Sequence, residues 1–281
     1  MAVQRTYGPS GGALVGKLLT MSNPKTMKGS SKGYLTAILH LAPFNLSGKN
    51  LCSHASAGCA AACLNTAGRG RFDNVQNARI RRSHEFLNDR KAFLAKLTRE
   101  IGAFLRKCER ASMKPAIRLN GTSDLVWESI APNLFDLFRD VSFYDYTKDF
   151  LRMLRFLDGK IPQNYHLTFS ASEHNDTRCG NVLERGGNVA VVFDSKVQPN
   201  LYVRAFDVFA YGTDRVRTID GDDTDLRFLD PRGNADGMRI GMGNLVCLYA
   251  KGQAKKDETG FVRTLTDDGN VTKSQELQTR E

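Results

Sequence analysis

The chain carries no acidic residue before Asp73. Residues 1–72 hold Arg5, Lys17, Lys25, Lys28, Lys32, Lys49, Arg69 and Arg71 with nothing to balance them. Long apolar runs are also missing. None approaches the ~18 residues that a membrane-spanning helix needs, so no membrane partner is expected. The opening stretch, MAVQRTYGPSGGALVGKLL, lacks the apolar core and cleavage site of a secretory leader. The expected location is the cytoplasm. There is no Walker A motif, no Ser-His-Asp elbow, no calcium-loop pattern and no internal repeat, which removes several common enzyme classes.

What is present is strongly basic. The net charge is +10, and acids gather toward the C-terminal half. Arg79, Arg81, Arg82, Arg90, Lys91, Lys96 and Arg99 extend the positive field beyond residue 72. Such a field suits an anionic substrate, DNA or RNA first, although a solvated basic face that aids solubility gives the same pattern.

The 281 residues fit one large domain. Residues 1–33, rich in Gly, Ser, Lys and Pro, read as an irregular basic lead-in. Residues 34–265 read as a single α/β domain, and 266–281 as a disordered polar tail. YLTAILHLAP opens the domain with a strand. From Asn74 to Ala111 apolar residues fall three or four apart, predicting two helices that break at Asn88-Asp89. Short apolar runs follow: PAIRL, VSFYDY, YHLTF and VAVVF, then VRTID, LRFLD and LVCLYA. The first four are separated by segments able to hold helices, Trp127–Phe138, Phe150–Leu157 and Thr177–Arg185. Alternation of this kind predicts a mostly parallel sheet, closed or partly closed into a TIM-like (βα) barrel with an N-terminal cysteine loop. Polar clusters follow the runs: NGTSD, DYTK, SASE and FDS. In such a barrel the carboxyl ends of the strands carry the site, whereas in an ordinary fold these residues are only turns and caps.

Three of the six cysteines cluster as C-x6-C-x3-C: Cys52, Cys59 and Cys63. In a reducing compartment, clustered thiols point to metal more than to disulfides. Thiolates suit zinc or iron–sulfur. Structural zinc wants four ligands, and His54 stands too close to Cys52 to serve easily as the fourth. Three cysteines can instead hold three irons of a four-iron cluster and leave the last iron open. Three unrelated thiols, or structural zinc, are the competing readings. Cys108, Cys179 and Cys247 read as ordinary buried or free thiols.

The segments NLCSHASAGCAAACLNTAGRG, IRLNGTSDLVWE, FYDYTK, NYHLTFSASEHN and DLRFLD resemble the phage family known as gene product 88, over about Leu18 to Phe261. The layout of strand, cysteine loop and polar-ended strands is similar to that of radical S-adenosylmethionine (SAM) enzymes. Their usual motif is C-x3-C-x2-C, often with an aromatic before the last cysteine. Here both intervals differ and Ala62 holds that place.

The resemblance implies a [4Fe-4S] cluster on Cys52, Cys59 and Cys63, SAM as cofactor, an electron donor, and hydrogen abstraction by a 5′-deoxyadenosyl radical in the cytoplasm of a host cell. It would set Asn120, Gly121, Thr122 and Ser123 near the SAM amino group, with Gly121 admitting close backbone approach. Asp124 would accept from the ammonium or cap a helix. Tyr146 would form a wall, Lys148 would pair with the carboxylate, and Ser170, Ser172 and Glu173 would follow. Two rivals come from the residues alone. The aspartates of Ile219–Asp230 could hold Mg²⁺ in a nuclease, with Tyr144 or Tyr146 as a nucleophile in a weaker variant. A non-catalytic nucleic-acid-binding module with structural zinc is the other.

Overall fold

The computed structural model describes residues 16–21, 28–206, 215–231 and 242–274, and its apolar runs assemble into one 11-stranded sheet. The strands are β1 (Leu19–Thr20), β2 (Tyr34–Leu39), β3 (Lys114–Arg118), β4 (Ser142–Thr147), β5 (Tyr165–Ser170), β6 (Val189–Phe193), β7 (Tyr202–Arg204), β8 (Arg215–Asp220), β9 (Leu245–Tyr249), β10 (Arg263–Leu265) and β11 (Val271–Lys273). Their order is β1-β2-β3-β4-β5-β6-β9-β8-β7, with the β10/β11 hairpin attached to β6. Pairing is parallel from β2 through β9 to β8, and antiparallel where β1 joins β2 and β7 joins β8.

The helices are α1 (Ala57–Ala61), α2 (Asp73–Asn88), α3 (Arg90–Arg110), α4 (Trp127–Ile130), α5 (Pro132–Leu137), α6 (Phe150–Leu157) and α7 (Asp176–Glu184). The break between α2 and α3 falls at Asp89, whose carboxylate caps α3 by accepting the Ala92 N–H at 2.9 Å. Pro132 ends the short α4 and starts α5, so the expected single helix over Trp127–Phe138 is two.

Strand side chains alternate faces. Leu39, Ile117, Phe143, Leu167, Phe169, Val189, Val191 and Leu245 point to the helix-covered face and join Phe93, Leu97, Ile101 and Phe104 of α3 in the main core. The opposite face is built differently. Ala116 and Tyr144 there pack against Leu226, and Phe228 sits edge-on to Tyr34 at 5.1 Å and Tyr144 at 5.6 Å. The LRFLD run is therefore not a strand. Its Arg227–Leu229 stretch is a 3₁₀ turn that covers this inner face.

The α/β class with a mostly parallel sheet stands, but the sheet is not closed into a barrel. Among the described residues, β1 and β7 remain the two edges and do not pair. Closure into a (βα) barrel needs parallel strands on both flanks. Here each flank ends in an antiparallel partner, and β1 is two residues long. Order also extends past the expected domain end. The tail folds back as β11, through a turn at Gly269 with φ 81°. A DDGN turn between two Thr-containing runs is a hairpin signal that charge and polarity disguise. Residues 1–15, 22–27 and 275–281 of the lead-in and tail lie outside the described residues. No described helix is long and apolar enough to cross a membrane.

Candidate functional site

The chain between β2 and α2 arches over the carboxyl ends of the strands and brings the cysteine loop there. The Cys52 N–H donates to Asn50 Oδ1 at 2.8 Å, and the Cys52 thiol donates to the Thr122 carbonyl at 3.5 Å. Ser56 caps α1, accepting the Cys59 N–H at 3.2 Å. Glu173, just past β5, then grips this turn: Ser56 Oγ donates to it at 2.6 Å and the Gly58 N–H at 2.7 Å. Gly58 admits no side chain, since a Cβ there would lie 2.2 Å from Thr259 Oγ1 and 2.8 Å from Phe261 Cβ. At the far end Cys63 Sγ accepts the Asn65 N–H at 3.5 Å. Asn65 is held in turn by Gln76, at 2.8 and 2.9 Å, and by Arg79 through its guanidinium.

The three cysteines face one cavity of about 340 Å³, inside the usual ~300–1,000 Å³ range of small-molecule sites. Asn120, Gly121, Thr122, Ser123, Asp124, Tyr146, Lys148 and Ser170 line it with them. Ser172 and Glu173 do not. Ser172 is buried, with its N–H on Asn175 Oδ1 at 2.7 Å and its carbonyl accepting from Arg263 at 2.8 Å. Glu173 serves the cysteine loop.

Several lining residues are committed to one another. Asn120 Oδ1 accepts from Ser123 Oγ at 2.9 Å, the Leu125 N–H at 3.0 Å and Trp127 Nε1 at 3.1 Å. Its own N–H donates to Asp145 at 2.7 Å. Burial pushes the Asp145 carboxyl up to about 7, against the hydrogen bond from Tyr165 and the charge of Arg118. Asn120 thus shapes the turn after β3. Gly121 is required by the neighbouring strand, because a Cβ would lie 2.7 Å from the Leu39 carbonyl oxygen and 2.8 Å from His40. Asp124 accepts the Lys148 N–H at 2.8 Å and lies 3.5 Å from Arg152. The Lys148 ammonium stands 5.5 Å from the centre of the Phe261 ring and, among the described residues, meets no carboxylate.

Sequence reasoning missed Arg118, Lys28, Tyr249, Lys251 and Phe261, which also line the cavity. Arg118, in the middle of PAIRL, was detectable as a charge inside an apolar strand. Its guanidinium lies over the Tyr146 ring at 4.7 Å and pairs with Asp225 at 3.1 Å. Burial works against its charge, but Asp225, Tyr146 and Asp145 outweigh burial and keep it a cation.

The aspartates of Ile219–Asp230 are dispersed. Asp222 pairs with Lys251, Asp223 with Lys32 at 3.5 Å, Asp225 with Arg118, and Asp230 with Arg227 at 3.3 Å. Among the described residues, no three His, Cys, Asp or Glu side chains converge tightly enough to hold a single metal ion. The cysteines face a common space without meeting at a point. Burial pushes the Cys52 thiol up to about 12, with Cys63, Asp124 and Cys59 adding to the rise. Burial also raises Cys63, against the pull of Arg79 and Lys148. Thiols in this state need a cation to become thiolate ligands. Three thiols, with no fourth such group lining the cavity among the described residues, have the chemistry of a donor set that would keep one position of a bound group open.

The arrangement spans nearly the whole matched region. The chain belongs to the gene product 88 family. Residues 17–265 match that family's model, so the match takes in the cysteine loop and every strand from β1 to β10. No curated protein and no solved structure matches the chain. The matched region contains the cysteines, Arg118 and Lys148 that line the cavity.

Proposed function

We propose that this phage-family protein is an iron–sulfur enzyme of the radical-SAM type, acting in the host cytoplasm on a nucleic acid or nucleotide. The observation that carries this reading is the shared cavity: Cys52, Cys59 and Cys63 line it together with the polar ends of parallel strands. The sheet is read as an opened TIM-like barrel whose mouth is that cavity. Cys52, Cys59 and Cys63 would hold a [4Fe-4S] cluster, which would supply one-electron reductive cleavage of SAM to methionine and a 5′-deoxyadenosyl fragment, given an external electron donor.

The protein's own residues bind and orient. Lys148, half-buried and without a carboxylate partner among the described residues, offers an ammonium to the SAM carboxylate. Asp124 offers an acceptor to the amino group, and Ser170 to a ribose hydroxyl. Val192, Leu248, Tyr249 and Phe261 line the cavity with apolar surface that excludes water. The dispersal of the aspartates among separate cations disfavours the Mg²⁺ nuclease.

The test is anaerobic reconstitution followed by iron and sulfide analysis, then incubation with SAM and dithionite. Iron and sulfide in near-equal amounts, with release of 5′-deoxyadenosine, is expected. Cys59→Ser should lower the iron content sharply. A protein that takes up zinc alone, or a cluster that yields no 5′-deoxyadenosine, would sink the reading.

A further inference from the structure

The cavity leaves unexplained the basic surface at its rim. Two loops meet there, Leu64–Phe72 and Lys251–Lys256. The 3₁₀ turn Leu64–Thr66 packs on the turn Gly252–Lys256. The contact is close: at Gly252, φ 60°, a Cβ would lie 3.1 Å from the Ala67 methyl. Neither loop contains an acid, and Arg69, Arg71, Lys251, Lys255 and Lys256 are all exposed. Among the described residues only Lys251 of these five reaches a carboxylate, that of Asp222.

Aromatic and apolar groups lie among these cations. Lys255 stands over the Tyr249 ring at 5.0 Å, and Arg71 near the Phe72 ring at 5.9 Å. Phe72 is 50 % exposed and Leu64 is 44 % exposed. Leu64, Tyr249 and Lys251 also line the cavity beside Cys63, so the seam between the loops opens into it.

We propose that these paired loops are the docking track for a single-stranded polynucleotide and deliver one unstacked nucleotide to the cavity. The proposal rests on the reading of that cavity as the reaction centre and names its substrate as a polymer. Unbalanced cations in a row bind phosphates regardless of sequence. The exposed Phe72 ring beside them gives a base a stacking surface, with the partly buried Tyr249 ring at the cavity edge, and a duplex with its bases already stacked cannot use it. A base inside a duplex could not enter a cavity walled by the cysteine loop, whereas an unstacked one can.

The experiment is fluorescence anisotropy with a labelled oligothymidylate of about 16 nucleotides, and with its oligoadenylate duplex, across a sodium chloride series. The single strand should bind more tightly than the duplex. Lys255→Glu with Lys256→Glu should weaken it about tenfold or more and lower the log–log salt slope by roughly 1.4. Phe72→Ala should weaken single-strand binding without changing the slope. Arg106→Glu with Lys107→Glu, an equal charge change on exposed residues of α3, should have little effect. An equal loss in that control pair, duplex binding as tight as single-strand binding, or no binding at low salt would overturn the track. Binding and cluster formation are read separately on the native chain: if it binds the oligonucleotide as expected but forms no cluster on anaerobic reconstitution, the track stands and the radical-SAM reading falls.

Discussion

Glu173 and Gly58 are joined by a 2.7 Å hydrogen bond across 115 residues of sequence. The same carboxylate takes Ser56 Oγ at 2.6 Å, so one side chain after β5 fixes the turn between Cys52 and Cys59. Glu173→Ala leaves a buried N–H without a partner and should cost about 1–3 kcal/mol. The loss should appear as a lower urea midpoint and as faster proteolysis within residues 52–63. Proteolysis unchanged from the native chain would show that the loop is held by other means.

The same bond sets a pH dependence. Burial raises the Glu173 carboxyl, but the hydrogen bonds from Ser56 and the backbone outweigh it and hold the group below its usual 4.5. A carboxyl depressed in the folded state stabilises fully above its unfolded value and loses that contribution as pH falls through the folded one. The gap in urea midpoint between the native chain and Glu173→Gln should therefore be constant from pH 6 to 8 and shrink below about 4.5. A gap that widens on acidification would reverse the assigned sign.

Two glycines should respond to alanine in opposite directions. Gly121 faces the Leu39 carbonyl oxygen, a backbone atom that cannot rotate away, 2.7 Å from where a Cβ would stand. Gly121→Ala should destabilise by about 1–3 kcal/mol through overpacking. Gly102, inside α3, has only the tip of Arg106 near it, at 3.9 Å. Gly102→Ala should stabilise by about 0.5–1 kcal/mol, since the helix interior favours alanine. Denaturant unfolding of both variants checks the pair.

These residues also show how far the sequence could be read. Helix periodicity and the Asp89 break located α2 and α3, and alternating apolar runs located the parallel strands, because both signals are local. The gathering of Asn120–Asp124, Tyr146, Lys148 and Ser170 at one mouth followed from the rule that parallel strands gather their carboxyl ends, whereas the place of the cysteines beside them came only from the resemblance in layout. What could not be read depends on contacts distant in sequence. Glu173 looks like any helix-start acid until Ser56 and Gly58 arrive beneath it. Gly121 looks like a ligand-approach glycine until the end of β2 is beside it. LRFLD has the composition of a strand, yet Leu226 and Phe228 are spent filling the inner face over Tyr34 and Tyr144. The antiparallel edges that keep the sheet open lie in short strands with weak patterns of their own.

The remaining thiols separate cleanly from the trio. Cys108, Cys179 and Cys247 are buried, while Cys52, Cys59 and Cys63 are partly accessible. Burial pushes Cys108 up to about 11 and Cys247 up to about 12, and raises Cys179 as well. Native protein treated with Ellman's reagent at pH 8 should titrate no more than the three loop thiols, and denatured protein all six. Cys108→Ala, Cys179→Ala or Cys247→Ala should leave the native count unchanged, whereas Cys59→Ala should lower it. Rapid native reaction at Cys247 would mean that the β9 region opens readily.

The buried Arg118–Asp225 pair tests whether the cavity floor is held by charge. Arg118→Met takes a charged partner from the buried Asp225 carboxylate and should cost about 3–5 kcal/mol. Asp225→Asn alone should cost less, because Arg118 keeps Asp145 within 4.0 Å and the Tyr146 ring beneath it. The double variant should recover part of the Arg118→Met loss, since removing both charges removes the desolvation penalty along with the attraction. A urea-unfolding double-mutant cycle measures this directly. Strict additivity would mean that the two residues do not act as a pair.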